Sequence, residues 1–389
     1  MTNLERFQAI VNGETPDYWP IFGFPGAPGM SRGCMKKTHD RLVATGMPSH
    51  VGGVYHLGRG AEDVEGWKRY WGTTDPIGAP GSIGRGARGF ETKRRVEDGF
   101  EIIESESGAV TRQVVDNDIT YIMPEYIRYP VRDRESWEFY RERMTPSGTL
   151  TTEAVEARCR PFDERDRPLA VSVGGAYGFL RSLMGPENLS LALHDAPELV
   201  HDMAAWRIEQ IRSYSFPVIE RLRPEVVQMG EDLCYNHGML LSPAHFHEFC
   251  GPHYAAVCAC ARACGADLVA VDTDGNLMQF ADIAAGYGVN GLYPCEVKAG
   301  NDLFALRKRH PEMVLFGWLE KEVVNEGNEA NIEPEIRSKA PALLKSGRYF
   351  PNGDHGIQPL VTFENMRKFM TLLHEVTDNP EGEFPRVPV

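Results

Sequence analysis

Four things are scarce or missing in this sequence, and each absence excludes a class of protein. There is no run of eighteen apolar residues, so no membrane-spanning helix is expected. There is no basic surplus: 41 Lys and Arg stand against 55 Asp and Glu, a net charge of −14. General nucleic-acid binding, which relies on cations displacing counterions, is therefore not expected. The eight cysteines in 389 residues contain no C-x2-C pair and make no disulfide framework, so a reducing cytoplasm is the expected compartment. Finally, no G-x-G-x-x-G stands in the strand-to-helix setting with an acidic residue about twenty positions on, which leaves a dinucleotide-binding open sheet unsupported.

What is present describes an ordinary globular chain. The hydrophobic share of 42% and charged share of 25% are those of a soluble enzyme long enough to bury a core without disulfides. Thr2-Asn3-Leu4-Glu5 reads as a capping box opening a helix that ends at Gly13, rather than as a signal peptide. Cys250, Cys258, Cys260 and Cys264 lie near His245, His247 and His253. Their spacing fits no zinc pattern and cannot bring 258, 260 and 264 to one helical face, so buried, inert thiols are expected.

The second half alternates strands and helices. Strands are expected at Val226–Met229, Leu268–Val271, Gly291–Tyr293, Met313–Phe316 and Tyr349–Phe350. The helices between them start near Ser242-Pro243, Leu277, Asp302, Glu333 and Phe363. Repeated βα units imply a parallel sheet covered by helices. The expected fold class is α/β, a (β/α)8 barrel forming a single domain over 1–389. Its first strand falls at Trp19–Phe24 and a later one at Ala170–Val173. Between these, Gly99–Glu106, Val110–Asp116 and Ile119–Tyr126 alternate apolar and polar residues, predicting a β-meander insertion within 90–130.

Acidic residues gather where these strands end: 231, 232, 272, 274, 296, 320 and 354. Strand ends of that sense are where barrel enzymes place their chemistry. Asp272 and Asp274 flank one threonine and so point to the same side of an extended chain. His355 follows a later strand. If the two strands are neighbours, Asp272, Asp274 and His355 form a divalent metal site, with Asp354 orienting the imidazole or serving as a ligand. The competing reading is turn chemistry, because Asp-Gly and Asp-His-Gly both suit tight loops. Glu296, Asp232 and Asp354 are the candidate catalytic acids. Phe22 and Phe24, in an apolar Gly- and Pro-rich segment, are candidate substrate contacts, as are His56, Tyr177 and Tyr235. Ser172 and Ser242 have no triad partners, so serine nucleophile chemistry is not expected.

These segments resemble the uroporphyrinogen decarboxylase superfamily, which holds the haem-pathway decarboxylase and cobalamin-linked methyltransferases on a (β/α)8 barrel. The likeness runs from about residue 3 to 377. It is carried by Glu231-Asp232-Leu233 through Leu241-Ser242-Pro243, by Asp272-Thr273-Asp274-Gly275-Asn276, by Pro294-Cys295-Glu296-Val297-Lys298-Ala299-Gly300 and by Asp354-His355-Gly356-Ile357-Gln358-Pro359. The decarboxylase branch carries Arg-Gln-Ala-Gly-Arg after its first strand to grip carboxylates; here the stretch is Phe24-Pro25-Gly26-Ala27-Pro28-Gly29. The methyltransferase branch holds zinc through His-x-Cys and a Cys before Gly-Ile; those positions here are Asp272, Asp274 and His355. The resemblance implies zinc or another divalent metal in a harder ligand set, suited to an ether or amine leaving group. It also implies a methyl acceptor corrinoid on a separate protein, since the D-x-H-x-x-G of cobalamin carriers is not in this chain. The expected activity is transfer of a methyl group from a small methylated compound to that corrinoid-binding protein, with a homo-oligomer possible. The alternatives are a metal-free decarboxylase of a tetrapyrrole or other carboxylated ring, and a non-catalytic ligand-binding barrel.

Overall fold

The computed structural model describes residues 1–22, 33–56, 60–81, 91–115, 124–146 and 150–389. Its centre is a curled sheet of seven parallel strands. They are β1 (Ile77–Ala79), β2 (Leu169–Ser172), β3 (Val226–Gly230), β4 (Leu268–Asp272), β5 (Gly291–Cys295), β6 (Val314–Leu319) and β7 (Tyr349–Gly353). Each pairs with the next in chain order. A short strand, Ile21–Phe22, pairs in parallel with Thr73–Thr74, which runs within two residues into β1. It also meets the other edge of the sheet, where Phe22 packs edge-on against Phe350 at 5.1 Å and the Asn352 amide donates to the Phe22 carbonyl.

Both faces of this sheet are covered, which is why its strands read as nearly continuous apolar runs. In β4, Leu268 and Ala270 face the concave side with Phe22, Val226, Val314 and Phe350. Val269 and Val271 face outward into the larger core beneath the helices. The first helix, Asn3–Val11, is opened by the expected capping box: Thr2 Oγ1 accepts from Glu5 N–H at 3.1 Å, and Thr2 N–H donates to Glu5 Oε2 at 2.7 Å. Its Phe7 stacks on Phe350 at 5.6 Å, so the helix covers the concave core. Truncating a buried ring of this kind costs roughly 3–5 kcal/mol.

The expected helix after Ser242 is present in three consecutive segments. Ser242 caps Pro243–His245, a π-helical turn spans Phe246–Cys250, and Gly251–Cys264 follows. Cys250, Cys258 and Cys264 are buried as expected but Cys260 is only half-buried; all eight cysteines are free, and burial pushes the Cys258 thiol up to about 11. Inert thiols are what such burial produces.

The meander is a four-stranded antiparallel sheet of Lys93–Glu97, Phe100–Glu104, Val110–Val114 and Glu125–Arg128. Its first strand went unread in the sequence because all five residues are exposed and carry no alternation. The strand expected at Ile119–Tyr126 falls partly outside the described residues, and what is described begins at Glu125. Among the described residues no helix is long and apolar enough to cross a membrane.

Candidate metal and acid site

The C-terminal ends of β3 to β7 carry Glu231-Asp232, Asp274, Glu296, Glu320 and Asp354-His355 to one edge of the sheet. Three of these groups converge. One donor atom each from Asp274, Glu296 and His355 lies within 4.8 Å of the others, and His355 Nε2 is 3.8 Å from Asp274 Oδ1. The strands behind Asp274 and His355 are not neighbours, since β5 and β6 lie between β4 and β7. Curl of the sheet, rather than pairing, brings the two side chains together.

Local features fix each member. Gly275, at φ +84°, lets the chain turn directly after Asp274; a β-carbon there would sit 2.6 Å from the Tyr235 backbone. Its N–H donates to Glu296 Oε2 at 2.7 Å, tying the two acidic loops together. Asn301 reinforces the tie by donating to the carbonyls of Gly275 at 2.9 Å and Glu296 at 2.8 Å. The β5–β6 register shifts between Leu292 and Cys295, so three residues of β5 stand against two of β6. A bulge of that kind re-aims the next side chain, which here is Glu296.

Asp272, read from the sequence as a ligand, is not part of the converging trio. By alternation it shares the face of Leu268 and Ala270 and looks into the concave side of the sheet. Burial, then the charges of Asp274 and Asp232, push its carboxyl up to about 8. Asp274 rises to about 7, through its sunken position and then Glu296 and Asp232, although 48% of its side-chain surface remains open. His355 is held below the usual imidazole value by burial and by the Lys321 charge.

The remaining acids have defined partners. Asp354 is buried and accepts twice, from Val297 N–H at 2.9 Å and Lys321 N–H at 3.0 Å, fixing the loops after β5 and β6. Glu231 accepts from Ala176 and Gly178 N–H at 2.8 and 2.7 Å, at the start of helix Tyr177–Met184. Asp232, in the left-handed region at φ +45°, pairs with Arg181 at 2.9 Å. That arginine was not singled out in the sequence, and nothing in its spacing marks it. Glu320 lies 3.5 Å from Lys298.

The expected substrate contacts scatter. Phe22 lines a cavity of about 570 Å³ on the concave side of the sheet, together with Tyr293, Phe316 and Asn352. Tyr177 is 2% exposed and packs in the helix-side core. Tyr235 is exposed on the hairpin Cys234–Tyr235/Gly238–Met239 that touches Gly275. Phe24 and the side chain of His56 lie outside the described residues.

Carboxylates and an imidazole thus gather at one rim of a curled parallel sheet, and similarity to known proteins gives the family. Residues 119–376 match uroporphyrinogen decarboxylase (URO-D), and the chain belongs to that family. A methyltransferase from Methanosarcina mazei shares the fold, with a TM-score of 0.55 and 14% identity over 97% of this chain and 98% of that one. Xylanase B from Clostridium stercorarium F9 aligns with a TM-score of 0.31 and 10% identity over 58% of this chain and 82% of that one. No curated protein matches the chain significantly.

Proposed function

We propose that the protein is a metal-dependent methyltransferase, probing a methyl ether or methylamine at its acidic rim and passing the methyl group to a corrinoid carried by a separate protein in a reducing cytoplasm. In this reading the Ile21–Phe22 strand and Thr73–Thr74, continuing into β1, complete a (β/α)8 barrel around the cavity. The observation that carries the proposal is the convergence of Asp274, Glu296 and His355.

The trio fits a divalent metal by its chemistry: two carboxylates and one imidazole are oxygen and nitrogen donors suited to zinc or a harder ion. The neighbouring Cys295 does not compete, because its buried thiol donates to the Leu292 carbonyl and is pushed up to about 12. When bound, the metal would supply Lewis acidity to a leaving oxygen or nitrogen. The roles of Asp272 and Glu296 are thus exchanged relative to the sequence reading. Glu296 becomes a ligand, and the buried Asp272 becomes the candidate acid for the leaving group. Asp354 positions Glu296 and His355 through the loops it anchors, and the Arg181 pair fixes Asp232 at the rim.

Decarboxylation of a polycarboxylated ring is the weaker reading. Cations at the rim are largely committed: Arg181 to Asp232, and Lys298 to Glu320 and Glu322. With those cations paired, Lys321, whose charge acts on Asp274 and His355, is left to offset several carboxylates, too little positive charge to hold a polyanion. The test is incubation of the metal-loaded protein with chemically reduced cobalamin and a panel of methyl ethers and methylamines, following methylcobalamin by absorbance. Transfer that disappears in Asp274→Ala supports the proposal; no transfer from any donor, with uroporphyrinogen turned over instead, overturns it.

A further inference from the structure

The cavity on the concave side of the sheet is not accounted for by the rim chemistry. About 570 Å³ is the size of a small-molecule site rather than of a packing defect. Its walls include both ends of the strands: Leu268 opens β4, whereas Asn352 and Gly353 close β7. Five strand residues at roughly 3.3 Å each give a length of about 16 Å. Small side chains, Ala170 and Ala270, leave the space, and the rings of Tyr293 and Phe316, packed edge to face at 5.9 Å, form part of one wall.

Charge is distributed unevenly along this length. Asp75 lines one end but is buried 3.2 Å from the equally buried Lys68, so its charge is offset. Arg158 also lines the cavity, from the exposed face of helix Thr152–Cys159, and makes no hydrogen bond or ion pair among the described residues. Midway, Gln228 accepts the Tyr293 hydroxyl at 3.1 Å, which leaves its amide N–H groups to a ligand. The upper end lies beneath Asp354-His355, directly after Gly353.

We propose that this cavity binds a rod-shaped aromatic carboxylate, its rings against the wall of Tyr293, Phe316 and Ala270 and its carboxylate on Arg158. Under the methyl-transfer reading, on which the assignment of this ligand as substrate rests, the opposite end of the rod is the one presented to the rim. A guanidinium recognises a carboxylate in bidentate fashion, and the apolar walls of the cavity contribute the burial of the rings. The acids at the rim repel the charged end, so the ligand is oriented as well as held.

The test is direct binding of biphenyl-4-carboxylate and of biphenyl-4-carboxamide to the full-length protein by calorimetry, with neither metal nor corrinoid added. The expected result is tighter binding of the carboxylate by about tenfold, equal binding of the two by Arg158→Gln, and loss of both in Ala270→Phe, which fills the cavity. Circular dichroism reports whether Ala270→Phe folds; where it does not, the Arg158→Gln comparison decides alone. Equal binding of acid and amide by the unaltered protein, or no binding of either, overturns the proposal. Because neither ligand has a methyl group to transfer, a failure here is distinct from a failure of the methyltransferase reading.

Discussion

His355 Nε2 lies 3.8 Å from Asp274 Oδ1 although their strands are separated by two others in the sheet. The contact therefore depends on the sheet's curl and on the loops that hold each residue. It also places an imidazole and a carboxylate where Glu296 can complete a three-donor group.

Loop anchoring makes Asp354 a sensitive position. Asp354→Asn keeps an oxygen for one of the two N–H donors, Val297 or Lys321, and turns an N–H toward the other. A buried donor left unpaired costs roughly 1–3 kcal/mol. Urea unfolding should show a loss of that order, with metal affinity lowered as well because Glu296 and His355 lose their fixed loops. An unchanged midpoint together with unchanged affinity would refute the anchoring role.

Gly275 tests the turn beneath the trio. Gly275→Ala meets both a left-handed φ and a contact of 2.6 Å to the Tyr235 backbone. The backbone conformation alone costs roughly 1 kcal/mol, and the clash must be relieved by moving the Asp274 loop or the hairpin. The expected outcome is a lower thermal midpoint and weaker metal binding. A variant with unaltered metal affinity would show that this loop does not set the site.

Two buried histidines make a pH prediction with a definite sign. Burial holds His253 down at about 3 and His374 at about 4, whereas the unfolded chain protonates near 6.5. The unfolded state therefore binds more protons between those values, and each histidine removes stability as pH falls from about 6.5 toward 4, by about 1.4 kcal/mol per unit. Buried carboxyls with raised values, among them Asp272 and Glu231, act in the opposite sense. The contribution is thus read as a difference. Between pH 6.5 and 4, His253→Gln should lose less stability than the unaltered protein, by about one proton's worth of slope. Parallel pH curves would show that His253 titrates normally.

Much of this arrangement was legible in the sequence, and the exceptions have physical causes. Asp274, Glu296 and His355 stood out because each follows an apolar strand and precedes or occupies a turn. What one-dimensional spacing could not show was which acids meet. Asp272 sits two residues from Asp274, but the strand ends at Asp272, so the alternation that aims Asp272 into the concave side no longer governs Asp274. Glu296 joins the trio after a register shift at Tyr293-Pro294. Pro294 was the available signal, because a proline inside a central strand marks a bulge. Tyr177 gave no sign of its burial, since an aromatic after a glycine run serves a core or a pocket equally well.

The central claim is that Asp274, Glu296 and His355 hold one divalent metal. The most direct measurement is metal content by inductively coupled plasma mass spectrometry on the untagged protein, beside Glu296→Gln, Asp272→Asn and His355→Ala. The account predicts about one zinc or similar ion per chain, lost in Glu296→Gln and His355→Ala and retained in Asp272→Asn. Metal lost in Asp272→Asn but kept in Glu296→Gln, or no metal in any of the four proteins, would contradict it.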